Sequence, residues 1–152
     1  MKRWLKIAIP LCILAAAVLF FPIKRTYTLS GDGAVLTLGK EKVGDCTMSV
    51  EIQELKSLAM SYRKTFSFVL DGVESPSDFI HFDDEHYSKT PGIPYLLTQA
   101  CYSGPDDRTE FYTLLYAPDL SYAVLKWGDN LYFLDNGANM AFSEIPFSHV
   151  GE

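Results

Sequence analysis

The residues best suited to metal chemistry lie in one short run near the middle of the chain, HFDDEH at positions 81–86. Imidazole nitrogens suit zinc and carboxylate oxygens suit calcium, so His81, Asp83, Asp84 and His86 are candidate metal ligands. In a continuous strand, however, His81 and Asp83 would face one side and Asp84 and His86 the other, so a joint site requires a turn. We expect instead a solvated loop that keeps an edge strand from pairing with another molecule, with the metal site as the alternative.

Motifs for catalysis are missing from the sequence. It contains no G-x-S-x-G nucleophile elbow, no H-E-x-x-H zinc motif and no glycine-rich phosphate loop. The run DNGAN at 135–139 resembles the opening of a calcium loop but lacks the later bidentate glutamate, so it predicts a tight turn. The chain has three histidines, so few side chains are available for general acid-base catalysis. We therefore expect no cofactor and a non-catalytic function.

Aromatic residues are numerous in the second half of the chain, and exposed ones could line a groove for a sugar or a peptide. Most of them are expected to be core residues or cross-strand pairs instead. The residues concerned are Tyr87, Tyr95, Tyr102, Tyr112, Tyr116, Tyr122, Trp127 and Tyr132.

Charge is distributed unevenly along the chain, whose formal net charge is -6. After Arg25 there are eight basic and 19 acidic residues. Such a surface repels phosphate backbones, because binding them requires clustered lysine and arginine, and this excludes a nucleic-acid partner. The same reasoning disfavours contact of this domain with anionic lipid headgroups, so membrane attachment is expected from the N-terminal segment alone.

An uncharged, strongly apolar run of 17 residues covers positions 7–23. Lys2, Arg3 and Lys6 precede it and Lys24 and Arg25 follow it, a pattern that predicts a transmembrane signal-anchor helix. Two alternatives are a signal peptide cleaved after the alanines at 15–17 and a lipoprotein modified at Cys12. The first would leave an apolar new N-terminus, and the second lacks a small residue before the cysteine.

The flanking charges favour residues 1–6 in the cytoplasm and a domain at 26–152 outside it, on a single-pass membrane protein. No glycine-serine linker separates the apolar run from the first expected strand, so the domain should lie close to the bilayer. Cys46 and Cys101 are the two cysteines of the exported part, and an oxidising compartment makes a disulfide between them a candidate.

Turn residues interrupt the sequence after Arg25 every few positions, a spacing that predicts short antiparallel strands. Apolar residues alternate with polar ones at 46–53 and again at 66–70, and Gly31-Asp32-Gly33 predicts a hairpin. Four further candidate strands at 95–102, 109–116, 121–127 and 131–135 predict a closing meander. The fold expected is a small antiparallel β-sandwich or half-open barrel of about eight or nine strands. Residues 54–63 fit either a short helix or a continuing strand with a bulge.

Together these features predict a membrane-anchored, extracytoplasmic β-domain that acts as a non-catalytic binding module for an envelope protein or a glycan. One alternative is a metal-dependent module or enzyme centred on His81 to His86. A second is a structural subunit whose N-terminal helix contacts other membrane helices.

Overall fold

A computed structural model of the chain describes residues 2–59, 61–82, 95–105 and 108–147. These residues form one N-terminal helix, nine strands and a short 3-10 helix. The bounds are α1 Lys2–Phe20, β1 Ile23–Thr37, β2 Lys42–Lys56, β3 Ser61–Leu70, β4 Val73–Glu74, β5 Ile80–Phe82, β6 Leu96–Ser103, β7 Thr109–Tyr116, β8 Tyr122–Trp127, β9 Asn130–Asp135 and the 3-10 helix Phe142–Glu144.

All nine described strands belong to one antiparallel sheet in the order β4-β3-β2-β1-β9-β8-β7-β6-β5. Strands β1 to β4 run back and forth as one meander, and β5 to β9 as another. The pairing of Gly33–Thr37 in β1 with Asn130–Leu134 in β9 joins the two halves. The sheet is not closed, because β4 and β5 are its two edges. The predicted β-rich class and the closing meander are thereby confirmed.

The predicted hairpin at Gly31-Asp32-Gly33 is wrong, because β1 runs straight through these residues. Gly31 lies opposite Met48 and Gly33 opposite Cys46 in the ladder with β2. A Cβ at Gly33 would lie 2.6 Å from the backbone oxygen of Phe133 in β9. The glycine is therefore needed for close contact between neighbouring strands rather than for a turn.

The possible helix at 54–63 is also not formed: β2 continues to Lys56, and β3 begins at Ser61. The register shifts between Leu55 and Lys56, which is the bulge that the sequence allowed as the alternative. The spacing of apolar residues at 55, 58, 59 and 62 suits a helix, but two long neighbouring strands supply ladder hydrogen bonds that an isolated short helix lacks.

The larger core lies between the two halves of the sheet, which pack face to face. Alternate residues of β2 and β3, Met48, Val50, Ile52, Phe66 and Phe68, are buried there, as their alternation predicts. They pack against β6 to β9 residues of the other half. These are Ala100, Tyr112, Leu114, Tyr116, Ala123, Leu125 and Leu134.

A second core covers the opposite face of β6 to β9. Leu115, Val124 and Phe133 point to this face, where Ile145 and Phe147 of the C-terminal segment cover them. Strands β7 and β8 are therefore buried on both faces, which explains their nearly continuous apolar sequences.

Helix α1 ends at Phe20 and β1 begins at Ile23, so the apolar run is not helical over its whole length. The helical part of the run, residues 7–20, is about 21 Å long at 1.5 Å per residue. In the part of the chain whose side chains are described, no helix combines the length and the hydropathy of a membrane span. Only two residues separate α1 from β1, which agrees with the absence of a glycine-serine linker at this point of the sequence.

Candidate functional site

A groove runs along β3 where the sheet is open, between that strand and β5. Its volume is about 470 Å³. The walls come from β3, from the segment that follows β4, and from β5 with the residues just before it. The lining residues are Gln53, Thr65, Phe66, Ser67, Phe68, Val69, Glu74, Ser75, Pro76, Ser77, Phe79 and His81.

Aromatic rings form the floor of this groove. Phe79 lies with its ring centroid 5.8 Å from that of Phe66 and 6.1 Å from that of Phe68. His81 meets Phe66 and Phe79 edge to face, at 5.5 Å and 5.8 Å. These rings connect β3 to β5, which the sheet itself leaves apart, so the floor is apolar and well packed.

The rim is polar and carries hydroxyl groups, in contrast to the floor. Thr65, Ser67, Ser75 and Ser77 supply hydroxyls that can donate or accept, and Glu74 supplies one carboxylate. This arrangement offers an apolar base for side chains and hydrogen-bonding groups for a backbone or another polar ligand.

The outer edge of β3 is the other feature of the site. Strand β4 pairs with β3 only at Val69 and Leu70. Just beyond, the Ser75 N–H donates to the Phe68 carbonyl at 2.7 Å, and the Phe68 N–H donates to the Ser75 Oγ at 3.1 Å. Hydrogen-bond directions alternate along an antiparallel strand, so the N–H and C=O of Phe66 point to the same side as those of Phe68. Among the described strands, none pairs with that side of β3 before Val69.

A tight turn joins β3 to β4, which is a strand of only two residues. Asp71 and Gly72 both have positive φ, at 49° and 81°, which is typical of a two-residue hairpin turn. The Asp71 carboxylate accepts a hydrogen bond of 2.7 Å from the Thr47 N–H. Pro76 lies four residues after Gly72, and a proline has no backbone N–H to donate to another strand.

Of the four candidate metal ligands, only His81 belongs to the described residues, and it lies in the ring cluster of the groove. Asp83, Asp84 and His86 lie outside the described ranges. Within those ranges, no group of three or more histidine, cysteine or acidic side chains is placed to hold a metal ion. The metal site therefore stays a prediction.

Glu110 accepts hydrogen bonds from two rings behind the groove. Its Oε2 lies 2.5 Å from the Tyr112 hydroxyl and 3.2 Å from the Trp127 Nε1. Burial, and then the hydrogen bond to Glu110, raise the pKa of Tyr112 well above its usual value. The Tyr112 phenol therefore stays neutral at physiological pH and does not serve as a base. The Glu110 carboxylate holds the Tyr112 and Trp127 rings in fixed orientations beside Phe68.

Cys46 and Cys101 are both buried, and both thiols are free in the structure. Cys46 belongs to β2 and Cys101 to β6. Burial raises the pKa of the Cys46 thiol, and the carboxylates of Asp71 and Asp45 raise it further. A thiol in this state is a weak nucleophile. The disulfide stays a prediction.

The aromatic residues singled out in the sequence are mostly core residues, as expected. Tyr95, Tyr112, Tyr116 and Tyr122 are buried, and Tyr87 lies outside the described ranges. The groove uses phenylalanines instead. Phe66 and Phe68 occupy alternate positions of β3, and this spacing correctly predicts that both rings are buried. The sequence does not show that Phe79 packs against them, and this packing forms the groove.

Comparison of the chain with models of protein families, with curated proteins and with solved structures gives no match.

Proposed function

We propose that this chain is a non-catalytic binding module, attached to a membrane by its N-terminal segment, that captures an extended segment of another protein along β3. The open edge of β3 above a floor of aromatic rings carries the proposal. A peptide added as a further strand would bond to the outward backbone groups of Phe66, and its side chains would contact the partly exposed Phe79 and the polar rim.

The chemistry of the groove favours a peptide over a glycan. Sugars need many hydrogen-bonding partners around an aromatic platform, whereas the outward N–H and C=O of Phe66 match the backbone groups of an extended chain. An edge that no described strand covers is otherwise a hazard, because it invites uncontrolled pairing. A partner strand would cover it.

Membrane attachment is supported by the surface of α1. Ile7, Leu11 and Ile13 expose 66%, 66% and 64% of their surface. Apolar side chains exposed along residues 7–20 of the helix are unfavourable in water and favourable in lipid. With three basic residues before the apolar run and Lys24 and Arg25 directly after it, we place residues 1–6 in the cytoplasm and the β-domain outside.

Selection of peptides tests the binding function directly. The full chain in lipid nanodiscs is used to select 12-residue peptides from a displayed random library, and the affinity of the enriched peptides is measured by fluorescence polarisation. Ser77→Arg places a long side chain at the rim of the groove and should weaken binding at least tenfold. Ser143→Arg makes the same change at an exposed site on the 3-10 helix and should leave the affinity unchanged.

The mode of binding is tested by methylating the peptide amides one at a time. In a strand that pairs on one side, alternate N–H groups bond to β3, so methylation should weaken binding with a period of two residues. Equal binding to both arginine variants would refute the location of the site. A methylation scan without that period would refute strand addition.

A further inference from the structure

One end of the sheet carries charge of the opposite sign to the rest of the domain. Residues 23–25 and 54–64 contain five basic residues and one acidic residue, Glu54, a net charge of +4. The remainder of the chain after Arg25 contains five basic and 18 acidic residues, a net charge of -13. The basic residues are Lys24, Arg25, Lys56, Arg63 and Lys64.

Strand pairing brings these separate parts of the sequence together. Lys24 lies opposite Leu55, and Leu55 lies opposite Arg63. One step further along, Arg25 lies opposite Glu54, which in turn lies opposite Lys64. Lys64 and Glu54 form an ion pair of 4.0 Å and are largely buried, whereas Lys24, Arg25, Lys56 and Arg63 are exposed. Four positive charges therefore face solvent at this end.

Apolar side chains are exposed at the same end. Leu58, in the turn between β2 and β3, exposes 71% of its surface, and Phe21 exposes 67%. The backbone N–H of Ala59 donates to the Leu19 carbonyl at 3.1 Å, which holds this turn against the C-terminus of α1. Phe20, Ile23 and Leu55 are exposed beside them.

We propose that this end of the sheet, the α1-proximal collar formed by residues 20–25, 54–59, 63 and 64, rests on an anionic lipid surface. This inference deepens the proposed membrane attachment and depends on it. Apolar side chains would enter the boundary between headgroups and acyl chains, and the exposed lysines and arginines would contact lipid phosphates. A lipid bilayer is the partner that fits the collar best. The collar follows directly after the apolar helix, and its positive charge is complementary to anionic headgroups.

The expectation that the domain repels anionic lipids rests on its total charge, whereas the collar carries a local net charge of +4. Electrostatic interactions at physiological salt fall off over about 8 Å. A lipid phosphate at the collar therefore interacts mainly with the local positive charge, because acidic side chains farther away than this distance are screened from it.

Fluorescence quenching by labelled lipids tests the collar in the full chain. In a Cys12→Ser background, Leu58→Cys carries an environment-sensitive fluorophore, and Val43→Cys carries the same fluorophore at the opposite end of β2 as the control. Both chains are reconstituted into vesicles of phosphatidylcholine, with or without about a third phosphatidylglycerol, that contain a lipid with a quencher near its headgroup. We expect the Leu58 probe to be quenched at least threefold more than the Val43 probe in the anionic vesicles.

Charge reversal separates lipid contact from mere proximity to α1. Adding Lys56→Glu and Arg63→Glu to the Leu58→Cys chain should lower its quenching in anionic vesicles to the level seen with phosphatidylcholine alone. If the chain floats with the vesicles but the two probes are quenched equally, the collar inference is refuted and membrane attachment stands. If the chain does not float with vesicles of either composition, attachment and collar are both refuted.

Discussion

At the scale of single residues, Gly33 shows how closely the two halves of the sheet approach each other. A Cβ at this position would lie 2.6 Å from the Phe133 oxygen and 3.2 Å from the Cys46 Sγ. Gly33 is in the ladder that β1 shares with both β2 and β9, where the two meanders join. The absence of a side chain at this position therefore permits the pairing on which the whole sheet depends.

Replacing Gly33 with alanine should be costly. The added methyl would press on backbone atoms of β9, so Gly33→Ala should lower the free energy of unfolding by about 1–3 kcal/mol. Gly31→Ala is the matched control on the same strand, since its Cβ would meet only the Leu134 Cδ1, at 3.4 Å. Urea unfolding followed by circular dichroism measures both variants. Equal stability of the two variants would contradict the assigned role of Gly33.

At this scale the sequence predicts well which face of a strand is buried. It does not predict where neighbouring strands lie so close together that only a glycine fits. Met48, Val50 and Ile52 are buried as their alternation predicts, because the direction of a side chain in a strand follows from its position alone. Gly31 and Gly33 were assigned to a turn, since glycine serves equally in turns and where strands lie close together. Only the partner strand distinguishes the two cases, and β9 lies about 100 residues further along the chain.

At the scale of elements, the turn between β3 and β4 sets where β4 and the residues after it lie along β3. Asp71 and Gly72 form this turn, both with positive φ. The turn closes β3 onto a strand of only two residues, after which Ser75 bonds to Phe68. The conformation of two residues thereby positions one wall of the groove.

Gly72→Ala should destabilise the domain. With φ at +81°, an alanine at this position would adopt a left-handed conformation that costs about 1–2 kcal/mol. Gly44→Ala in β2 is the control, because its nearest neighbour would be the Val35 side chain at 3.9 Å and its φ is not positive. We expect the control to change the free energy of unfolding by less than about 0.5 kcal/mol. Thermal unfolding of both variants would reveal the difference, and a stable Gly72→Ala chain would contradict the turn geometry.

The candidate groove itself could not be predicted at this scale. The rings of Phe66, Phe68 and Phe79 are visible in the sequence, and so are the turn before β4 and the proline after it. What joins them into a groove is the packing of β3 against β5 and Phe79, which belong to opposite halves of the sheet. Such a contact depends on the curvature of all nine described strands and leaves no signal in local spacing.

At the scale of the whole molecule, the two cores share the strands β6 to β9. Tyr112 lies in the core between the halves of the sheet, and Tyr122 lies in the core beneath the C-terminal segment. Neighbouring strands of the same ladder carry both residues, so loss of one core exposes the other. We therefore expect the domain to unfold as one cooperative unit.

The pH dependence of stability tests this expectation. Burial is the main cause that raises the pKa of Tyr122 to about 12, and burial raises that of Tyr112 as well. An unfolded tyrosine ionises near pH 10, so above that pH the unfolded state binds fewer protons than the folded state, and stability falls as the pH rises through 12. Below pH 10 both tyrosines are neutral in the folded and the unfolded state, so they do not change the free energy of unfolding with pH.

If both cores open together, the two tyrosines should each release about one proton on unfolding between pH 10 and 12, which gives a combined slope of about -2.7 kcal/mol per pH unit. Tyr112→Phe and Tyr122→Phe should each remove about half of that slope, and the double variant should remove nearly all of it. Urea unfolding of the full chain in mild detergent at a series of pH values measures these slopes. A Tyr122→Phe chain that keeps the full alkaline slope would show that the second core has opened before the first, and unfolding as a single unit would be refuted.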